Sequence, residues 1–201
     1  MRREYSASSS PSPLPQGYTP LQYIQGTGTQ YIDTGVYDTT ALQRVVIDVA
    51  WDNYSSWQAM GFANSNNGLV IRLGNIVNTG LFFTAQTTGT WVNVPCNVTA
   101  GNDWHVFDIQ SGSQKFDGSQ LATNTIDGWN RSFYLFALNA SWTSASAFCK
   151  CKMRGCKIYV NGTLAHDYYP ALRTADSKPG MYDIIGNSFK TNAGSGEFNY
   201  A

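Results

Sequence analysis

Charge is scarce in this sequence. Only 13% of its 201 residues are Asp, Glu, Lys or Arg, against roughly 25% in an average globular domain. Thirteen basic residues balance 13 acidic ones, so the composition predicts no partnership with nucleic acid or with an anionic membrane surface. The surface must instead consist largely of Asn, Thr, Ser, Gln and Gly, which is typical of proteins that assemble or contact sugars.

Glutamate is nearly absent, since Glu4 and Glu197 are the only two and lie at opposite ends of the chain. Glycoside hydrolases flank the scissile bond with a pair of carboxylates. Two aspartate pairs are candidates, but one has an odd sequence spacing and the other spans a predicted strand end, and neither belongs to an acidic strand motif. These pairs are Asp48 with Asp52 and Asp103 with Asp108. The sequence therefore predicts a protein that is not an enzyme.

The two histidines also lack a catalytic pattern, because no Gly-x-Ser-x-Gly motif accompanies them. His105 alternates with Phe107 and Ile109 and so falls on a core face, where we predict a buried histidine with a backbone partner. We predict that His166 is a solvated cross-strand neighbour of Lys157.

The four cysteines favour buried free thiols. Cys149 and Cys151 lie on one face of a predicted strand, where neighbours at i and i+2 rarely reach disulfide geometry. A bridge between Cys96 and Cys156 stays open as the alternative. A structural zinc needs about four ligands, and the histidine spacing does not supply them. The sequence predicts no cofactor, although scattered aspartates leave a structural Ca²⁺ site open; they are Asp33, Asp38, Asp127 and Asp183.

Composition divides the chain in two. Residues 1–17 are rich in Ser and Pro and are predicted to form an extended arm, while residues 18–201 form one domain. In that domain short apolar runs alternate with turn residues, and no 12-residue stretch carries a helical apolar stripe. We therefore predict an all-β fold of antiparallel sheets. The predicted strands are 23–32, 44–51, 68–73, 80–85, 103–110, 114–116, 132–138, 149–160 and 163–168.

Long apolar segments are missing as well. No stretch approaches 18 apolar residues, and Ser and Pro residues follow the basic N-terminus. The sequence predicts neither a membrane span nor a secretory signal.

Two hairpin turns can be placed. The dipeptides Asn161-Gly162 and Asp117-Gly118 suit type I′ turns, because both central positions need positive φ. Gly155 is predicted to mark a bulge or a bend inside a long strand. The cross-strand pairs expected around the first turn are Val160 with Thr163 and Ile158 with Ala165.

Glycine turns, aromatic residues and hairpin dipeptides recur in four segments. They are 14–35 (LPQGYTPLQYI, then GTGTQYIDTG), 104–118 (WH, then GSQKFDG), 156–170 (CKIY, NGTL, then DYYP) and 180–198 (GMYD, then TNAGSGEF). In this order they resemble the concanavalin A-like (LamG-type) jelly-roll domains of virion and tail-associated proteins of phages and prophages of gut bacteria. The resemblance implies a jelly-roll sandwich of two antiparallel sheets. Many relatives have an aliphatic residue and Arg where this chain has Ala165-His166, so a function carried by that arginine would be absent.

The resemblance implies a non-enzymatic structural protein located in the virion: a head fibre, a capsid decoration protein or a tail-associated adhesin. The arm would bind other virion proteins, and the chain would form a trimer by analogy with fibres. The domain would bind host glycans or mucus through many weak contacts. One alternative is a free carbohydrate-binding module or a bacterial surface lectin, and a second is a glycoside hydrolase. The arm residues expected to dock on a partner are Arg2, Arg3, Tyr5, Pro11, Pro13 and Leu14.

Loops that carry both a tryptophan and an amide are candidate sugar sites. An aromatic plane stacks on the C–H face of a pyranose ring, while amide groups bind its hydroxyls. The competing interpretation is that these tryptophans pack in the core. The candidate ligand-binding residues are Trp57, Trp129, Trp142, Asn130 and Asn139.

Overall fold

The computed structural model describes residues 14–37, 44–51, 58–63, 68–73, 81–87, 90–96, 103–126, 131–141 and 144–201. Within these ranges the chain forms strands, turns and loops and no α-helix, hence no helix that could cross a membrane. The strands are β1 (Tyr18–Pro20), β2 (Ile24–Gln25), β3 (Ile32–Asp33), β4 (Arg44–Trp51), β5 (Gln58–Ala63), β6 (Gly68–Leu73), β7 (Leu81–Thr87), β8 (Thr90–Pro95), β9 (His105–Gln110), β10 (Ser113–Phe116), β11 (Ser119–Ala122), β12 (Tyr134–Leu135), β13 (Leu138–Ser141), β14 (Ser144–Ser146), β15 (Cys151–Val160), β16 (Thr163–Arg173), β17 (Lys178–Asp183), β18 (Ser188–Thr191) and β19 (Asn199–Tyr200).

These strands form two sheets. The larger sheet has the order β11-β10-β9-β4-β15-β16-β17-β18, with β1 on β16 and β2 between β15 and β19. The smaller sheet has the order β14-β13-β5-β6-β7-β8, and β12 joins β3 to β5. One pairing departs from the expected antiparallel pattern, because β13 runs parallel to β5 with Leu138 opposite Gly61.

The core lies between the two sheets and follows from the alternation of side chains along each strand. In β4, Val45, Ile47 and Val49 are fully buried, whereas Val46 and Asp48 point to the other face and stay partly exposed. One apolar cluster joins the inner faces of both sheets. Its members include Val45, Ile47, Phe107, Met153, Ile158 and Tyr168 from the larger sheet and Met60, Phe62, Leu69, Ile71 and Leu135 from the smaller one. The all-β sandwich predicted from the sequence is confirmed.

Both predicted hairpin turns are confirmed. Asn161 and Gly162 have φ values of 50° and 75°, and Val160 pairs with Thr163. The Asp117-Gly118 turn has φ values of 49° and 81°. The second expected pair is wrong, because a register shift between residues 158 and 159 sets Ile158 opposite His166 instead of Ala165.

Strand boundaries differ from the prediction where the backbone turns. The predicted strand 23–32 is divided into β2 and β3 by a turn at Gly28, whose φ is 111°. The predicted strand 132–138 is divided into β12 and β13 at Phe136, whose φ is 66°. The predicted strand 163–168 continues to Arg173 as β16, since it pairs with β17 along that length.

Gly155 marks a bulge in β15, as predicted. Met153 pairs with Val49 and Gly155 with Asp48, so one extra residue, Arg154, is inserted on the β15 side. The bulge directs Arg154 to the outer face of the larger sheet, beside Asp48.

The predicted free thiols are confirmed, since Cys96, Cys149, Cys151 and Cys156 are all buried and unbridged. Burial strongly raises the pKa of the Cys156 thiol, which keeps it protonated and unreactive.

Candidate functional site

A groove of about 550 Å³ crosses β9, β4, β15 and β16 on the outer face of the larger sheet. The register places Asp108, Val46, Lys157 and Asp167 in one row across these strands. The next row contains Val106, Asp48 and Gly155. We call this cavity the outer-face groove; its lining includes Val46, Asp48, Val106, Arg154, Gly155, Lys157, Asp167 and Tyr169.

The floor of the outer-face groove is apolar. Val46 and Val106 are partly exposed there, at strand positions that face away from the core. Gly155 adds no side chain, and a Cβ built at this position would meet only the Tyr168 carbonyl oxygen, at 3.8 Å. The absence of a side chain at Gly155 therefore helps to keep the groove open.

Charged side chains stand beside this floor in cross-strand pairs. Arg154 Nε donates to Asp48 Oδ2 at 2.6 Å, and Lys157 Nζ lies 3.2 Å from Asp167 Oδ2. Each carboxylate comes from a strand next to that of its cation, so the pairs link β15 to β4 and to β16. Their charges cancel, which leaves the groove polar but neutral.

Arg154 provides a hydrogen-bond donor for only one of the two carboxylate oxygens of Asp48. Burial raises the pKa of Asp48 above its ordinary value, although the hydrogen bond from Arg154 opposes that shift. Its Oδ1 atom is buried and has no hydrogen-bond partner within the described ranges. A buried acceptor without a donor costs free energy, and a ligand can reach Asp48 only through the part of its side chain that is exposed, 27% of it.

Aromatic rings lie at the groove and next to it. The Arg154 guanidinium carbon sits 4.4 Å from the centroid of the Trp104 ring, and Tyr23 packs 6.2 Å from Trp104. Tyr169 lines the groove itself, where burial and the negative charge of nearby Asp167 raise the pKa of its hydroxyl. These rings supply planar apolar surface together with polar edges.

A smaller pocket of about 210 Å³ lies near the C-terminal loop. Two exposed ion pairs border it, Arg173 with Asp176 and Lys178 with Glu197. The smaller volume and the exposed ion pairs make it a weaker candidate for an extended ligand.

Most of the sequence-predicted ligand residues lie outside the described ranges, namely Trp57, Trp129, Trp142 and Asn130. Asn139 lies within the described ranges, and only 5% of it is exposed. Its Nδ2 donates to the Ser132 carbonyl at 3.0 Å, while its Oδ1 has no partner within the described residues. This buried position does not suit the rim of a surface sugar site, and the ligand roles of the other four residues stay predictions.

Most of the predicted arm also lies outside the described ranges. Of its predicted docking residues only Leu14 is described, and it is half-buried; Arg2, Arg3, Tyr5, Pro11 and Pro13 lie outside the described ranges. Gly17, at the end of the predicted arm, accepts hydrogen bonds from the amide and hydroxyl of Thr174, both at 3.0 Å. The division at residues 17 and 18 stays a prediction.

Both histidines have carboxylate partners that the sequence did not suggest. His105 Nδ1 lies 2.8 Å from Asp117 Oδ2, not against a backbone group, because β10 pairs with β9 up to Phe116 opposite Phe107 and so ends with Asp117 beside His105. His166 Nδ1 lies 2.6 Å from Asp183 Oδ2. The predicted proximity of His166 to Lys157 is wrong, since the register shift in β15 pairs Lys157 with Asp167.

The groove residues were not identified from the sequence as a ligand site. Val46 and Val106 occupy outward positions of their strands, where an alternating pattern calls for polar residues. Two outward valines were the available signal for an apolar surface on that face. Among the described residues, no three His, Cys, Asp or Glu side chains come together as a metal site would require.

Comparison with known proteins identifies the fold. No protein-family model and no curated protein sequence matches the chain. A candidate carbohydrate-binding protein from Bacteroides ovatus has a similar structure, with a TM-score of 0.62, 14% sequence identity and coverage of 91% of this chain. This chain spans 60% of that protein's length. A heptameric SAP-like pentraxin from Limulus polyphemus gives a TM-score of 0.48 at 7% identity, over 70% of this chain and 74% of its own. The chain is a β-sandwich of the jelly-roll, concanavalin A-like type.

Proposed function

We propose that this protein is a carbohydrate-binding module whose ligand lies in the outer-face groove. The observation that carries the proposal is an apolar floor joined to hydrogen-bonding side chains in one cavity of about 550 Å³. Small-molecule sites typically enclose roughly 300–1,000 Å³ and combine an apolar lining with a few polar groups. A pyranose ring has the matching character, because C–H groups cover its faces and hydroxyls surround its edge.

The groove has room for more than one sugar ring. It spans four neighbouring strands, and three interstrand spacings of ~4.8 Å give a width of about 14 Å. Val46 and Val106 would contact the C–H face of a ring, and the open position at Gly155 would let the ring approach the sheet. A chain segment therefore suits the groove better than an isolated monosaccharide.

The polar groups fit sugar hydroxyls. The Asp48 side chain is 27% exposed, and its carboxylate could accept a hydrogen bond from a ligand hydroxyl. Tyr169 and Lys157 offer a phenol edge and an ammonium group on the same surface. The structural similarity to a candidate carbohydrate-binding protein supports this interpretation and favours the free-module alternative.

The proposal is tested on a glycan array with the wild-type chain, followed by calorimetry on any glycan that binds. The Tyr169→Ala variant should weaken binding about two- to tenfold, as expected when an aromatic contact of roughly 0.5–1.5 kcal/mol is lost. Tyr200→Ala is the matched control, because Tyr200 is 47% exposed on β19 and does not line the groove. Absence of binding to every glycan, or equal losses in both variants, would contradict the proposal.

Sugar cleavage would contradict it in another way. Among the described residues, Asp48 and Asp167 are the two carboxylates that line the groove, and each is paired with a cation. Release of reducing ends that depended on either aspartate would identify a glycoside hydrolase.

A place in a phage particle stays a prediction from the sequence resemblance. Display of many copies would multiply weak sugar contacts into avidity. The binding role of the groove is the same for a free module and for a virion protein, so this placement needs its own test: co-purification of the chain with assembled particles.

A further inference from the structure

We infer that the outer-face groove selects uncharged glycans over glycans that carry carboxylates, and that cross-strand ion pairs provide this selection. The inference rests on the proposed function, because it assigns a ligand class to the same groove.

Two of these pairs line the groove. Arg154 is held by Asp48 at 2.6 Å and Lys157 by Asp167 at 3.2 Å. Both cationic side chains are less than half exposed, at 41% and 43%, and the Asp167 side chain is 8% exposed. Both cations are therefore already paired with a carboxylate of the protein.

A third ion pair lies beside the groove and links β4 to β9. Arg44 donates through Nε and Nη2 to the two oxygens of Asp108, at 2.6 and 2.7 Å. Asp108 is directly opposite Val46 of the groove floor. The two-pronged geometry uses both carboxylate oxygens of Asp108 and two donors of Arg44, and bidentate pairs of this kind are among the stronger ion pairs.

A ligand carboxylate would meet an unfavourable surface here. It would lose hydration on entering the groove, and the nearby cations are already occupied by protein carboxylates. Because each cation is paired, the groove offers no net positive charge to offset that loss. A hydroxyl carries no charge, so it loses less hydration, and it can accept hydrogen bonds from remaining donors of Arg154 or Lys157.

The test removes one carboxylate and leaves its cation in place. Asp167→Asn frees Lys157 inside the groove and raises the net charge by one. Asp176→Asn is the matched control, because it changes the charge equally but frees Arg173, which lies outside the groove. Titrations use laminarin and mannan as uncharged probes and polygalacturonate as the acidic probe, at low and high ionic strength.

We expect the wild-type chain to bind an uncharged probe more tightly than polygalacturonate. Asp167→Asn should tighten polygalacturonate binding about two- to fivefold per contact, the range of an exposed ion pair, and high salt should remove the gain. Asp176→Asn should show no gain. Asp48→Asn, which frees Arg154, should reproduce the gain and serves as the test if Asp167→Asn does not fold.

Two results would overturn the inference, and they are distinguishable. Wild-type binding to polygalacturonate that equals or exceeds binding to the uncharged probes would refute the selection while leaving carbohydrate binding intact. Absence of wild-type binding to all three probes and to a broad glycan array would refute the proposed function, and the selection with it.

Discussion

Gly155 offers a substitution in which stability and ligand binding should change in opposite directions. Its φ is not positive, so an L-residue fits the backbone. A Cβ at this position would meet only the Tyr168 carbonyl oxygen, at an ordinary contact distance of 3.8 Å. In Gly155→Leu the added side chain would stand on the outer face of β15 and occupy the floor of the groove.

The magnitudes follow from the environment of Gly155. Glycine inside a strand costs roughly 0.5–1 kcal/mol relative to alanine, because it loses more backbone freedom on folding. Relieving that cost should raise the melting temperature by about 1–4 °C in a domain of this size. One extra methylene in an apolar site alters affinity by about tenfold or more, so a leucine side chain should reduce glycan binding at least about tenfold.

The assay pairs thermal unfolding with calorimetric titration of a glycan that binds the wild-type chain. Ser119→Leu is the control, because Ser119 is exposed on the edge strand β11 and a leucine there adds similar apolar surface outside the groove. A Gly155→Leu variant that is at least as stable as wild type and still binds with unchanged affinity would refute the assignment of the ligand to this groove.

Two further predictions concern buried groups. Burial alone would raise the pKa of Asp183, but hydrogen bonds from His166 and from backbone amides outweigh burial and hold this pKa below its ordinary value. The ionised carboxylate therefore stabilises the folded state. This stabilisation is full above the unfolded pKa of about 3.9 and is lost as pH falls through the folded pKa. Asp183→Asn should lower the free energy of unfolding at neutral pH and flatten its decline in acid, as measured by urea unfolding across pH, and an unchanged acid profile would contradict this. Ellman's reagent should label none of the four cysteines in the native chain and all of them in denaturant, since all four are buried and are not in disulfides. Rapid labelling of the folded protein would be inconsistent with the core described.

The sequence predicted those parts of the fold that local chemistry determines. The Asn161-Gly162 dipeptide needs positive φ at both positions, and this alone fixed the turn and its first cross-strand pair. It did not predict the register shift at Ile158, because no glycine marks that position as Gly155 marks the other bulge of β15. The same shift decides that His166 lies opposite Ile158 and that Lys157 pairs with Asp167.

The groove was beyond local prediction for a related reason. Alternation shows that Val46 and Asp48 face away from the core, but it cannot show which strands lie beside β4. Contact between β4 and β15 joins residues about a hundred positions apart, and only that pairing brings Arg154 to Asp48. The tryptophan loops attracted attention in the sequence because a stacking residue and an amide are adjacent in the chain, whereas the groove is assembled from four separate strands.

The most direct test of the account is a crystal structure of the full chain with a neutral oligosaccharide chosen from the array. We predict sugar density over Val46 and Val106, with a hydroxyl within hydrogen-bond distance of Asp48. Sugar bound at the smaller pocket beside Arg173, or on any surface other than the outer face of the larger sheet, would contradict it.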